Sequence, residues 1–381
     1  MLRVAIGQIR PQKGDYAENL RRIGGVLAQV AGWDSPPHLI VFPETIASGY
    51  FVEGAVRDLA VTAGTLFRDV AAQHSLTGAP PLDVVIGFYE EFQNRLHNSA
   101  LYASLGGVDP GIKHVHRKIF LPTYGVFDEE RFIDRGHRAR AFDTNWGRAA
   151  ILICEDAWHS LVPTLAALDG AQVVIVPSAA PARGVAPGGR PESVERWERL
   201  VRDIADEHGV FVVLAQLVGF EGGKGFPGAS AIVGPDGDVL VRGPLFEEAL
   251  ITADLELSEI TRARAAQTLL ADLEAELPHL LRSAGIPDQG REPVAFGPED
   301  PCPRTQRPPA KAAHPVAAPE PVGDPLVIDP ALVERWLTAF LRDEVVQRRG
   351  FTKGVIGLSG GVDSAVTAAL GVPFFLLTLR R

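Results

Sequence analysis

The 381-residue chain is 46% hydrophobic and 22% charged, with a formal net charge of −10. That balance fits a folded protein of two or three domains and excludes a basic nucleic-acid-binding face. No apolar run approaches the roughly 20 residues that span a bilayer, the first residues read as a strand rather than a secretion signal, and the two cysteines, Cys154 and Cys302, sit in contexts too unlike for a disulfide framework, which fits a cytoplasmic location.

Strand and helix signals alternate from the start. Leu2–Ile9 reads as a strand, and Asp15 with Glu18 has the spacing of a capping box for a helix reaching about Val30. His38–Phe42 is a short apolar strand that Pro43 ends. A helix is predicted over Val56–Ala72, then strands at Val84–Glu90, Ser99–Ala103 and Ile112–His116. Ala149–Ile153 and Val173–Val176 are apolar throughout, as strands covered on both faces are. A helix is predicted from Pro191 to His208, and a strand over Phe211–Leu217. Pro235-Asp236-Gly237-Asp238 is a hairpin turn between Ala229–Val233 and Val239–Arg242, and Ala249–Leu255 closes the set. One helix is predicted over Ser258–Ala284. The stretch 287–325 has the Pro- and Ala-rich composition of a linker. Helical periodicity resumes over Pro330–Arg348, with Leu332, Trp336, Phe340 and Leu341 on one face. The expected architecture is α/β with mixed sheets, divided as 1–270, 271–329 and 330–381.

Glu44, Lys118 and Cys154 each lie just past the carboxyl end of a predicted strand, where the loops of an α/β fold converge. A thiol becomes a strong nucleophile once a base or a positive neighbour favours its ionisation. Glu44 can take the proton. Lys118 can favour the thiolate and then an oxyanion. A helix starting at Cys154 would favour the thiolate further. Taken singly, each residue has a plainer reading: a core cysteine, a surface glutamate, a solvated lysine. Together they are equipment for attack on a carboxamide or nitrile carbon.

A glycine-rich loop, Ser359-Gly360-Gly361-Val362-Asp363-Ser364, follows the apolar stretch Gly354–Leu358 and opens a helical pattern. Adjacent glycines let backbone N–H groups approach phosphate oxygens, and a helix N-terminus adds its dipole. Ser359, Gly360, Gly361, Asp363 and Ser364 are therefore candidate ATP contacts, with Asp363 toward Mg²⁺. Gly371-Val372-Pro373 interrupts that helix early, and a domain truncated soon after its phosphate loop is the expectation here.

The segments Phe42–Tyr50, His116–Pro122 and Ile151–Trp158 resemble the glutamate, lysine and cysteine segments of the nitrilase superfamily, in the family's order. Tyr124–Arg131 and the Ser359–Ala365 loop are similar to glutamine-dependent NAD synthetases. The resemblance implies a four-layer α-β-β-α sandwich, a linker, and a fragment of a Rossmann-like adenine nucleotide alpha-hydrolase domain. It implies Cys154 as nucleophile, Glu44 as base and Lys118 as stabiliser of the intermediate. Glu129 becomes the second carboxylate, Tyr124 and Phe127 pocket walls, and Glu155 and Ser178 further glutamine contacts. L-glutamine is then the ammonia source, with no cofactor or metal at the glutaminase site. ATP, Mg²⁺ and nicotinic acid adenine dinucleotide belong to the synthetase half, and a homo-oligomer is expected, without nucleic acid or membrane. Two other readings stay open: a freestanding amidase on another small amide, and an inactive remnant. His114 and His116 share a strand face without a third metal ligand, Cys302 reads as a bystander, and Glu221–Gly225 reads as a flexible loop near the site mouth.

Overall fold

The computed structural model describes residues 1–184, 190–284 and 329–347. Among these, Met1–Leu270 and the described residues from Asp329 on fall in one unit, and those from Ala271 on in another.

The first unit is built on two six-stranded sheets. One contains β1 (Leu2–Gln8), β2 (Leu39–Val41), β3 (Leu82–Phe92), β4 (Arg95–Leu105), β5 (Gly111–Arg117) and, at its far edge, β14 (Ala249–Leu255), in the order β14-β1-β2-β3-β4-β5. The other contains β6 (Ala141–Thr144), β7 (Gly147–Ile151), β8 (Val173–Ser178), β9 (Phe211–Gln216), β12 (Ala231–Val233) and β13 (Val239–Arg242), in the order β13-β12-β9-β8-β7-β6. Each has three parallel strands at its centre, β1-β2-β3 and β7-β8-β9, and antiparallel strands outside. A separate two-stranded ribbon pairs β10 (Val218–Glu221) with β11 (Lys224–Pro227).

Side-chain alternation explains the layering. Leu39, Val41 and Val85 face the second sheet, together with Leu2, Val4 and Ile6. Their neighbours Ile40, Phe42, Val84 and Ile86 face the other way, onto α1 (Tyr16–Ala31) and α3 (Ala63–Thr77). The helix α1 meets them with Leu20, Ile23, Leu27 and Val30, spaced for one helical face. On the far side, α4 (Leu161–Leu168) and α5 (Glu192–His208) cover the second sheet, α5 through Trp197, Val201 and Ile204. The result is the four-layer α-β-β-α sandwich. Removing one such fully buried side chain, as in Leu27→Ala, costs about 2–5 kcal/mol.

Departures from the sequence reading have local causes. The helix predicted over Val56–Ala72 is two: α2 (Val56–Leu59) ends, and Thr62 restarts the chain as N-cap of α3 by accepting the Thr65 N–H at 3.1 Å. Asp15 caps α1 through the Glu18 N–H at 2.9 Å, while the Glu18 side chain pairs with Arg21 instead of closing the box. Ser258–Ala284 also divides, into α6 (Ser258–Ala266) and α7 (Leu269–Ser283), with Pro278 inside α7. α8 (Pro330–Leu341) belongs to the first unit and continues as a π-helical turn over Arg342–Gln347. Glu221–Gly225 is no loose loop: Gly222 and Gly223, at φ +57° and +76°, form the two-residue turn of the β10–β11 hairpin.

Candidate active site

The carboxyl end of β2 delivers the first site residue. Pro43 stops the ladder, and the chain turns through Glu44 and Thr45, the latter left-handed at φ 49°. The turn sits directly on Gly87 of β3, where a Cβ would lie 2.7 Å from the Glu44 Cα. Glu44 is fully buried, and its oxygens are occupied from both sheets. Oε1 accepts from Lys118 Nζ and from Asn98 Nδ2, each at 2.7 Å; Oε2 accepts the Ala179 N–H at 2.7 Å. Lys118 immediately follows β5, and its own N–H donates to the Asn98 carbonyl at 2.8 Å. Its ammonium also donates to Glu129 Oε1 at 2.9 Å.

Cys154 enters from the second sheet, three residues past the end of β7, at the start of a 3-10 turn over Cys154–Trp158. Its φ of 46° places a non-glycine residue in the left-handed region, which costs on the order of 1–3 kcal/mol and aims the thiol inward. Asp156 fixes this turn to the lysine segment. Its Oδ1 accepts the Ile119 and Phe120 N–H groups at 2.9 Å; its Oδ2 accepts the Ile153 N–H at 3.1 Å and meets His116 Nε2 at 2.8 Å. Ser178, the last residue of β8, donates to the Cys154 sulfur at 3.3 Å.

Burial sets the charge state. It pushes the Cys154 thiol well above its usual range, and Glu44 adds to the effect against Lys118, the Ser178 hydroxyl and the Ala179 N–H. The short 3-10 turn does not reverse this, contrary to the expected helix-dipole effect. Burial works against the Lys118 ammonium too, but Glu129 and Glu44 outweigh it and hold the charge. Glu129 is raised by burial, with Lys118 opposing. Burial thus favours the neutral thiol at rest, beside a Lys118 ammonium held between Glu44 and Glu129.

A cavity of ≈ 230 Å³ opens on the thiol, lined by Tyr124, Phe127, Glu155, Trp158, Arg183 and Arg196 among others. The Tyr124 hydroxyl donates to the Glu155 carboxylate at 2.9 Å, and the Arg183 guanidinium lies over the Phe127 ring at 5.1 Å. Tyr50, Phe51, Phe127 and Phe226 pack as an aromatic cluster behind it, and Tyr50 presents its ring to Lys118 at 5.7 Å. A larger groove of ≈ 530 Å³ beside α5 is lined mainly by charged side chains such as Arg190, Glu198 and Asp206, and lies apart from Cys154.

Glu44, Lys118, Cys154, Glu129 and Ser178 thus gather at one point, and Tyr124, Phe127 and Glu155 line the cavity before it. His114 and His116 serve structural ends instead: His116 is bound to Asp156, and His114 stacks on Phe142 at 4.4 Å, where burial lowers it to about 4. Among the described residues no group of three or more His, Cys, Asp or Glu could hold a metal ion. Ser359, Gly360, Gly361, Asp363, Ser364 and Cys302 lie outside the described residues. Sequence reasoning missed Asn98, Asp156 and Glu221. Asn98 is fully buried in β4 but stands between the polar His97 and Ser99, so its sequence neighbourhood gave no signal of burial.

Comparison with known proteins agrees with this fold. Residues 3–265 match the carbon-nitrogen hydrolase family, and residues 333–377 match NAD synthase. A glutamine-dependent NAD(+) synthetase of Thermotoga maritima is 30% identical over 97% of this chain and 58% of its own. The chain therefore spans little more than half the length of that relative. A glutamine-dependent NAD+ synthetase structure from Acinetobacter baumannii superposes with a TM-score of 0.68 at 22% identity, covering 97% of this chain and 57% of the other. A carbon-nitrogen hydrolase from Helicobacter pylori superposes at 0.62 and 21% identity, covering 72% and 98%. No helix among the described residues is long and apolar enough to cross a membrane. With most of its length matched by one family and with that family's fold, this chain belongs to the carbon-nitrogen hydrolases.

Proposed function

We propose that the chain hydrolyses the side-chain amide of L-glutamine and that the ammonia serves the amidation of nicotinic acid adenine dinucleotide by an ATP-dependent synthetase half. The observation that carries the hydrolytic part is the Glu44–Lys118 contact at 2.7 Å with the Cys154 thiol beside it. Glu44 takes the thiol proton as sulfur bonds to the amide carbon. The developing oxyanion draws on the Lys118 ammonium. On collapse the C–N bond breaks, and the proton held by Glu44 leaves with the nitrogen as ammonia. A water, deprotonated by Glu44, then attacks the thioester, giving L-glutamate and the free thiol. Glu129 holds Lys118 in place and keeps it charged.

The cavity suits a zwitterionic amino acid. Glu155 can take an α-ammonium group, Arg183 and Arg196 an α-carboxylate, and Tyr124 and Phe127 the methylenes between. ATP and Mg²⁺ would concern Ser359, Gly360, Gly361, Asp363 and Ser364, and no step at Cys154 passes through them.

The test is ammonia release from L-glutamine by the purified chain, with Cys154→Ala as control and a panel of other small amides as competitors. Release that depends on Cys154 and favours glutamine supports the reading. Faster hydrolysis of another amide identifies a freestanding amidase, and no release from a folded protein points to a remnant or to a domain that waits for the synthetase half.

A further inference from the structure

A second cavity, of ≈ 290 Å³, shares only Phe127 with the one that opens on Cys154. Its walls are aromatic and aliphatic: Tyr50, Phe51, Tyr89, Phe127, Phe132 and Ile133. Two polar side chains line the same space, Glu129 and Tyr50, which are 7% and 5% exposed. Among the described residues neither Glu129 Oε2 nor the Tyr50 hydroxyl completes a hydrogen bond, although the phenol stands near enough to lower Glu129. Everything else about the pair is tied down. Glu129 Oε1 accepts from Lys118 at 2.9 Å and from Asn98 at 3.3 Å. The N–H groups of Tyr50 and Phe51 donate to the buried Glu221 carboxylate at 2.8 and 2.9 Å, and the Tyr50 carbonyl accepts the Tyr89 hydroxyl at 2.7 Å. Burial, with Glu129 and Glu44 nearby, pushes the Tyr50 phenol well above its usual range, so it stays protonated and is a donor. A fixed donor and a fixed acceptor, both buried and unpaired, thus face one aromatic cavity, an arrangement that costs free energy unless something joins them.

We propose that this cavity is a second ligand site and that it takes a small aryl primary carboxamide. The carbonyl oxygen accepts from the Tyr50 hydroxyl, an amide N–H donates to Glu129 Oε2, and the ring lies among the aromatic walls. A water molecule can satisfy the two polar atoms, but it leaves the apolar walls wet, and a ligand that serves both displaces it. An aryl carboxylate is refused, because it brings no N–H and sets a second negative charge against Glu129. Bound there, the amide draws on the carboxylate that holds Lys118, and glutamine turnover falls. That effect on turnover rests on the function proposed above; the binding does not.

The experiment titrates the full chain with benzamide and, separately, with benzoate, followed by ligand-observed NMR, in the parent, Cys154→Ala, Tyr50→Phe and Val56→Trp proteins. Circular dichroism establishes that each is folded. Benzamide is expected to bind the parent and Cys154→Ala alike, with saturating glutamine present or absent, and benzoate is not bound. Tyr50→Phe keeps the ring but lacks the donor, and binds about fivefold more weakly. Val56 lines the cavity, so Val56→Trp fills it and abolishes binding. Should that variant not fold, Val126→Trp, at an exposed position on the same cavity, takes its place. In glutamine turnover benzamide lowers kcat severalfold and leaves KM unchanged. No binding of benzamide, binding that glutamine displaces or that is lost with Cys154, or benzoate bound as tightly as benzamide overturns the proposal. If glutamine is not a substrate, the titrations still decide it.

Discussion

Asn98 holds Glu44 with its side chain, donating from Nδ2 at 2.7 Å, while its main-chain carbonyl holds the N–H of Lys118 at 2.8 Å. One residue of β4 thereby sets the spacing of the base and the cation. The same amide also donates to Glu129 Oε1, at 3.3 Å. Replacing Asn98 with Ala leaves both carboxylates short of a donor and free to turn. The expected cost is about 1–3 kcal/mol in stability and about a hundredfold in kcat. Denaturant unfolding and steady-state ammonia release measure the two, and a parent-like kcat would remove Asn98 from the site.

Gly87 makes a sharper case, because its effect is steric. An added Cβ would lie 2.6 Å from the Pro43 carbonyl oxygen and 2.7 Å from the Glu44 Cα, both backbone and unable to swing aside. Gly87→Ala is expected to push the Glu44 turn off β3 and reduce turnover about a hundredfold or more. A crystal structure of the variant would show the displaced turn.

The thiol gives a prediction in pH. Burial first, then Glu44, raises Cys154, so iodoacetamide labelling is expected to climb only above the ordinary thiol range of about 8.5. Glu44→Gln removes a charge that raises it, so the labelling midpoint moves down. Turnover nevertheless falls, by about 10²–10⁴-fold, because the base is gone. Ser178→Ala removes a hydrogen bond to sulfur and moves the midpoint up. Shifts in the reverse directions would contradict this account of the thiol.

Asp156 predicts a loss of stability. It accepts three backbone N–H groups, from Ile119, Phe120 and Ile153, and holds His116, all from full burial. In Asp156→Ala each donor left unsatisfied costs about 1–3 kcal/mol. Thermal melting is expected to show a large drop, with Cys154 labelled faster as its turn frees itself from the lysine segment. A variant that melts like the parent would show that water replaces the carboxylate.

Much of this was legible in the chain because it rests on local signals. Apolar runs marked the central strands, and Glu44, Lys118 and Cys154 fall where those runs end. What escaped depends on partners far off in sequence. Asn98 matters through Glu44, and Asp156 through Ile119, 37 residues away. Glu221 reaches Tyr50 across 171 residues, and Gly222-Gly223 beside it read as looseness where the glycines serve a tight turn. The break before α3 was hidden because Thr62 caps a helix inside a stretch whose apolar spacing runs on unbroken. Pro163 masked α4, although a proline in the first turn of a helix gives up no hydrogen bond.

Glu44 and Lys118 come from one sheet, and Cys154, Ser178 and Ala179 from the other. A nascent chain that has emerged only as far as β5 therefore carries a base with nothing to activate, and the cysteine emerges later as an ordinary thiol. Reactivity switches on when the two layers meet. The hydrolytic centre is born only with the finished sandwich.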